Sequence, residues 1–120
     1  MGLAERRAAG AVAAARRREE LWAEARRLAA AARAAGATRV IVFGSLARDE
    51  VRPASDLDLA VIWDTGLPYG DRLAAMARIL RPQEGLDLVV PTPDELARRA
   101  GFTLVRRILR EGVELSATHG

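Results

Sequence analysis

The chain contains no cysteine, no lysine and no asparagine, and aromatic residues make up only 4% of its 120 positions. Without cysteine it can form neither a disulfide framework nor a thiolate metal site. Without lysine it cannot contain a Walker A loop, whose lysine binds nucleotide phosphates. Few aromatics and many alanines predict a thin core built from the Val, Ile and Leu of strands. Pairing with another subunit as a homo-oligomer would enlarge such a core.

All 19 basic residues are arginines, and 16 acidic residues leave a formal net charge of only +3. This charge is weak support for nucleic-acid binding, which stays open. The arginines at 16–18 and 26–27 are interspersed with glutamates, which favours a solvated helix face over an RNA or oligomer interface. No apolar run reaches membrane-spanning length, and the charged start differs from a signal peptide. We therefore expect a cytoplasmic protein with no membrane contact.

A chain of this length predicts a single domain over residues 1–120. Residues 4–35 are rich in Ala and Arg and lack proline, which predicts a long helix. Its apolar positions share one helical face: Leu21, Ala25, Leu28 and Ala32. We expect Gly10 to split off the first turns, so that residues 1–15 form a frayed helical extension. Gly36 is expected to end the main helix in a left-handed cap.

The rest of the chain alternates between strand and helix patterns. Strands are predicted at residues 38–43, 57–62, 86–90 and 113–115. Helices are predicted at residues 45–49, from the N-cap Asp71 to Pro82, and from a capping box at Thr92 to Glu111, where Gly101 can interrupt the last helix. This order predicts an α/β (α+β) fold, with a small mixed β-sheet flanked by helices.

Three aspartates interrupt the apolar strands. Asp56 and Asp58 are separated by one residue, so the alternation of a strand sends both to one face. Their repulsion has to be relieved by a cation, by protonation or by hydrogen-bond donors. Asp87, on the next strand, could complete an all-oxygen site for Mg²⁺ or Mn²⁺ and accept a hydroxyl proton in phosphoryl or nucleotidyl transfer. The alternative is that these aspartates cap turns or face water.

A glycine and a serine join the first strand to a helix. Gly44 permits close approach of a ligand, and Ser45 offers a hydroxyl at a helix N-terminus, where phosphate is favoured. Arg48, one turn further on, can reach the same anion. The alternative is that Gly44 only allows the turn and Ser45 only caps the helix.

Together, Gly44-Ser45, ten intervening residues, Asp56-x-Asp58 and the later Asp87 resemble the DNA polymerase β-like nucleotidyltransferase superfamily. Residues 43–48 and 55–59 look specifically like the minimal nucleotidyltransferases, the MNT domains that are often encoded beside HEPN proteins. The resemblance covers about residues 21–115.

This resemblance implies a nucleotidyltransferase fold in which Asp56, Asp58 and Asp87 are the catalytic residues and hold Mg²⁺ (or Mn²⁺). Nucleotide phosphates would bind around Gly44 and Ser45. The implied reaction moves a nucleoside monophosphate, typically AMP from ATP, onto a hydroxyl of a protein or RNA and releases pyrophosphate. The implied partner is a HEPN-type protein, with this chain as the antitoxin of a toxin–antitoxin pair. The alternative is a non-catalytic antitoxin or binding module that masks a HEPN toxin.

One position departs from the family pattern. Many members have glycine directly after the arginine, where this chain has Asp49 after Arg48. The aspartate adds a negative charge near the expected phosphate site.

Overall fold

The computed structural model describes residues 2–116, which form helices around one four-stranded sheet. The elements are α1 Leu3–Ala34, β1 Arg39–Phe43, α2 Gly44–Ala47, β2 Leu57–Ile62, α3 Tyr69–Leu80, β3 Leu86–Val89, α4 Pro93–Arg98, α5 Thr103–Glu111 and β4 Val113–Glu114. The strand order is β3-β2-β1-β4; β2 and β3 are parallel, and the other pairs are antiparallel. The predicted α+β fold with a mixed sheet is therefore confirmed.

Helices cover both faces of the sheet, which explains the nearly continuous apolar sequence of β1 and β2. On one face, alternate side chains of these strands pack against α1 and α3: Val40, Val42, Leu57, Leu59 and Val61. On the other face, the intervening side chains pack against Leu96 of α4 and Ile108 of α5: Ile41, Phe43, Ala60 and Ile62. The second face also carries Asp58, because it alternates with Leu57 and Leu59.

The predicted apolar stripe of α1 is confirmed, since all four of its residues are fully buried. The prediction that Gly10 splits the helix is wrong: α1 runs from Leu3 to Ala34 without a break. One helical glycine costs only about 1 kcal/mol relative to alanine, too little to break a helix rich in good helix formers. Residues 2–12 are all exposed, and fraying there stays a prediction.

Gly36 ends α1 as predicted, with φ of +101°. The amide of Ala37 donates to the carbonyl of Ala32 at 3.0 Å, which gives the hydrogen bond of a Schellman cap. No helix within residues 2–116 combines the length and the apolar character needed to cross a membrane.

Two predicted helix boundaries are wrong. Helix α2 ends at Ala47, before the expected Asp49, which adopts a left-handed backbone. Helix α3 begins at Tyr69 behind Pro68, so Asp71 lies in its first turn and is not its N-cap. An acidic residue in the first turn still interacts favourably with the helix dipole.

The capping box at Thr92 is confirmed, with the Glu95 amide donating to Thr92 Oγ1 at 3.1 Å. The interruption near Gly101 is also confirmed, because α4 ends at Arg98 and α5 begins at Thr103. The short final strand pairs with β1 and places α5 against the sheet face that carries Asp58.

Candidate active site

Two of the three predicted carboxylates meet across neighbouring strands. The parallel register of β2 and β3 places Asp58 directly beside Asp87. Asp58 is half-buried between strands, whereas Asp87 lies on the edge strand and is exposed. Asp56 is exposed and comes just before β2, so the strand itself carries only Asp58 of the two. Strand alternation thus predicts which face of the sheet carries Asp58, and the register of β2 and β3 pairs Asp58 with Asp87.

The electrostatics of this pair are unfavourable without a cation. The pKa of Asp58 is raised to about 6, chiefly by burial and then by the charge of Asp87 and a hydrogen bond with it. Arg48 opposes this effect and Asp56 adds to it. A divalent cation would offset the charge of two neighbouring carboxylates, and an all-oxygen donor set fits Mg²⁺ or Mn²⁺.

The third predicted ligand is not assembled with the pair. Within residues 2–116, no group of three or more acidic, histidine or cysteine side chains is arranged to hold a metal ion. The structure therefore provides a carboxylate pair, Asp58 and Asp87. The participation of Asp56 stays a prediction.

Gly44 lies directly against the carboxylate of Asp58. Its φ is +71°, a left-handed conformation that favours glycine. A Cβ built on Gly44 would lie 2.7 Å from Cγ of Asp58 and closer still to its Oδ2. Position 44 therefore requires glycine, both for its backbone conformation and for its contact with Asp58. The turn that contains Gly44 adjoins the carboxylate pair.

Ser45 is the second residue of α2 and is half-buried. The N-cap residue is Phe43, which makes no side-chain cap hydrogen bond, so the alternative that Ser45 merely caps the helix is wrong. Phosphate binding by the Ser45 hydroxyl stays a prediction.

A second glycine contacts the site, and the sequence reasoning missed it. Gly85 precedes β3, and a Cβ on it would lie 2.8 Å from Cγ of Asp56. Each carboxylate of the Asp56-x-Asp58 motif thus rests against a glycine. The sequence signal that could have indicated Gly85 is its position two residues before Asp87, the aspartate of an apolar strand.

Arg48 links α2 to α5. Its Nε donates to Glu50 Oε2 at 3.1 Å, and its Nη1 lies 3.7 Å from Glu111 Oε2. Its positive charge lowers the pKa of Asp58, so the guanidinium acts on the carboxylate pair electrostatically. Direct binding of a phosphate by Arg48 stays a prediction.

The structure explains the residue that departs from the family pattern. Asp49 has φ of +59°, the left-handed region in which glycine is favoured and aspartate is among the better-tolerated alternatives. Its Oδ1 lies 3.1 Å from Nε of Arg18 on α1. An ion pair therefore offsets the added charge.

A family model described as Polymerase beta, Nucleotidyltransferase matches residues 30–118, well over half of the chain. The chain belongs to this nucleotidyltransferase family. The predicted superfamily is thereby confirmed, and the match includes the Gly44 turn and all three aspartates of the proposed site. No curated protein matches the chain.

Proposed function

We propose that this nucleotidyltransferase is metal-dependent and transfers a nucleoside monophosphate, AMP from ATP, to a hydroxyl group of a protein or RNA. Membership of the family supports nucleotidyl transfer in general. One observation carries the finer proposal: the paired carboxylates of Asp58 and Asp87 lie beside the turn at Gly44. A glycine turn at a helix N-terminus next to a carboxylate pair suits a nucleoside triphosphate with a divalent cation.

In this proposal Asp56, Asp58 and Asp87 hold Mg²⁺ or Mn²⁺. A cation bound there neutralises phosphate charge and lowers the pKa of the attacking hydroxyl. Gly44 lets the nucleotide approach the backbone, and Ser45 donates its hydroxyl hydrogen to a phosphate oxygen.

The exposed Asp87 accepts the proton of the acceptor hydroxyl. The hydroxyl oxygen then forms a bond to the α-phosphorus, while the bond from the α-phosphorus to the bridging oxygen breaks. Pyrophosphate leaves with the electron pair of that bond. Because β3 is the edge strand of the sheet, an acceptor on another molecule can reach Asp87.

The proposed acceptor is a HEPN-type protein, with this chain as the antitoxin of the pair. The resemblance of residues 43–48 and 55–59 to MNT domains supports this partner. A second candidate is a binding module that masks the HEPN toxin without modifying it. The exposed apolar side chains of Phe102, Leu104 and Leu109, on and next to α5, favour a protein-binding surface.

An assay with labelled ATP tests the enzyme. Purified protein, Mg²⁺, α-labelled ATP and a HEPN-type partner are combined, and label on the partner is measured together with released pyrophosphate. Asp58→Asn removes the carboxylate while conserving shape. Asp64→Asn, at an exposed position after β2, is the matched control. We expect transfer by the wild type and the control but not by Asp58→Asn, and equal transfer by Asp58→Asn would overturn the proposal.

The same variants separate the two candidates. Masking predicts that Asp58→Asn still binds the HEPN partner and still protects cells from it. Loss of protection with retained binding would exclude masking as the mechanism.

A further inference from the structure

Arg17 of α1 contacts the two segments of chain that lead into the carboxylate strands. Its Nε donates to the carbonyl of Ser55 at 2.9 Å, and its Nη1 forms an ion pair with Glu84. A weaker contact joins Nη1 to Glu20 at 3.2 Å. Only 16% of the side chain is exposed. The expectation of a solvated face is therefore wrong for Arg17, although Arg16 and Arg18 are exposed.

Both segments carry parts of the proposed site. Ser55 immediately precedes Asp56, and Glu84 immediately precedes Gly85, on which the Asp56 carboxylate rests. The carbonyl of Gly85 accepts a hydrogen bond from the amide of Leu57 at 2.9 Å. One guanidinium thus joins the beginnings of β2 and β3, the strands that pair Asp58 with Asp87.

A second residue of α1 holds the same loop by its backbone. Glu24, two turns after Arg17, is 6% exposed and accepts hydrogen bonds from the amides of Gln83 at 2.6 Å and Glu84 at 3.3 Å. Although burial opposes its ionisation, hydrogen bonds from Arg27 and the Gln83 amide lower the pKa of Glu24. Glu24 thus binds the backbone of Gln83 and Glu84, while the Glu84 side chain pairs with Arg17.

The chemistry of arginine suits this position. Its planar guanidinium can donate to a carbonyl and a carboxylate at once in a fixed geometry, whereas lysine offers a single ammonium on a flexible stem. Hydrogen bonds between charged partners are also stronger than neutral ones. The contact therefore fixes the distance between the Ser55 and Glu84 segments.

We propose that Arg17 is a positioning residue of the carboxylate site. It holds the segments before Asp56 and Asp87 in place, so that the Asp87 carboxylate stays beside that of Asp58 for a divalent cation. The inference rests on the proposed function, because it requires a cation at this site. Arg17 itself touches neither the cation nor the nucleotide.

The test measures Mn²⁺ affinity of the whole protein without nucleotide, from the electron paramagnetic resonance signal of free Mn²⁺. The variants are Arg17→Leu, Arg17→Lys and the control Arg16→Leu, which removes an exposed arginine next to Arg17. Loss of a residue that orients metal ligands typically weakens metal binding by about tenfold or more. We expect that loss in Arg17→Leu, a smaller loss in Arg17→Lys, and wild-type affinity in Arg16→Leu.

Amide hydrogen exchange in the same variants gives a readout that needs no metal. Exchange of the Leu57 amide should accelerate in Arg17→Leu, while that of Val61, near the other end of β2, should not. If Arg17→Leu does not fold, the Mn²⁺ affinity and the Leu57 exchange rate of Arg17→Lys test the inference instead.

The outcomes separate this inference from the proposed function. If the wild type binds Mn²⁺ and both Arg17 variants bind it equally well, the inference is overturned and the proposed function stands. Faster exchange at Leu57 with unchanged Mn²⁺ affinity gives Arg17 a purely structural role and also overturns the inference. A wild type that binds no Mn²⁺ overturns the metal-dependent function, and the inference with it.

Discussion

Replacing Gly44 with alanine tests whether the turn and the carboxylate pair form one site. The added Cβ would lie 2.7 Å from Cγ of Asp58, a distance shorter than real Cβ contacts. The aspartate or the turn therefore has to move. The φ of +71° adds conformational strain. We therefore expect Gly44→Ala to affect both stability and the position of the Asp58 carboxylate.

The magnitude follows from these two contributions. A left-handed conformation costs a non-glycine residue about 1–2 kcal/mol. Forcing an extra carbon into a packed position costs about 1–3 kcal/mol more. We expect the free energy of unfolding to fall by about 2–5 kcal/mol, depending on how far the Asp58 side chain can move.

The assay is urea unfolding followed by circular dichroism, together with Mn²⁺ binding by the folded variant. Gly66→Ala is the control, because a Cβ at Gly66 meets no atom within 4 Å and its φ is not in the left-handed region. We expect Gly66→Ala to match the wild type within about 0.5 kcal/mol. A Gly44→Ala variant with wild-type stability and wild-type Mn²⁺ affinity would refute the reasoning.

Three further predictions concern charge. The pKa of Asp58 is raised from 3.8 to about 6, so between about pH 4 and 6 the folded protein binds more protons than the unfolded chain. The contribution of Asp58 to the free energy of unfolding therefore falls as pH rises from about 4 to 6. Without metal, Asp58→Asn should therefore lose less stability than the wild type over that range, measured by urea unfolding; equal pH profiles would contradict the assignment. Addition of Mg²⁺ at pH 7.5 should raise the Tm of the wild type but not that of Asp58→Asn in differential scanning calorimetry, and equal shifts would place the ion elsewhere. Arg72→Met should cost about 2–4 kcal/mol in urea unfolding, because it removes the buried ion-pair partner of Glu95 and the hydrogen-bond donor to the Val90 carbonyl. A loss below about 1 kcal/mol would show that these contacts contribute little.

Much of the fold follows from local patterns in the sequence. The stripe containing Leu21 and Leu28 has helical spacing, and β1 and β2 are apolar because helices bury both of their faces. The capping box at Thr92 is a local motif whose partners lie within one turn, so it could be predicted with its hydrogen bonds. The two wrong predictions, at Gly10 and Asp71, also concern local structure. Helix α1 continues through Gly10, and α3 begins directly after Pro68, two residues before Asp71.

The site was predictable only in part. Strand alternation predicts that Asp56 and Asp58 share one side, and the family pattern adds Gly44. No local pattern indicates that Gly85 supports Asp56, or that Arg17 binds a carbonyl 38 residues away and a carboxylate 67 residues away. The Arg17 contacts arise from the packing of α1 against two loops, and the Gly85 contact arises from the pairing of β2 with β3; residue spacing encodes neither.

We propose that AMP transfer occurs at the Asp58 and Asp87 pair. The most direct test of this claim is the intact mass of a HEPN-type partner that has been co-expressed with the wild type, Asp58→Asn or Asp64→Asn. We predict adenylylated partner with the wild type and Asp64→Asn, and unmodified partner with Asp58→Asn. Equal modification by Asp58→Asn, or unmodified partner with the wild type, would contradict the claim.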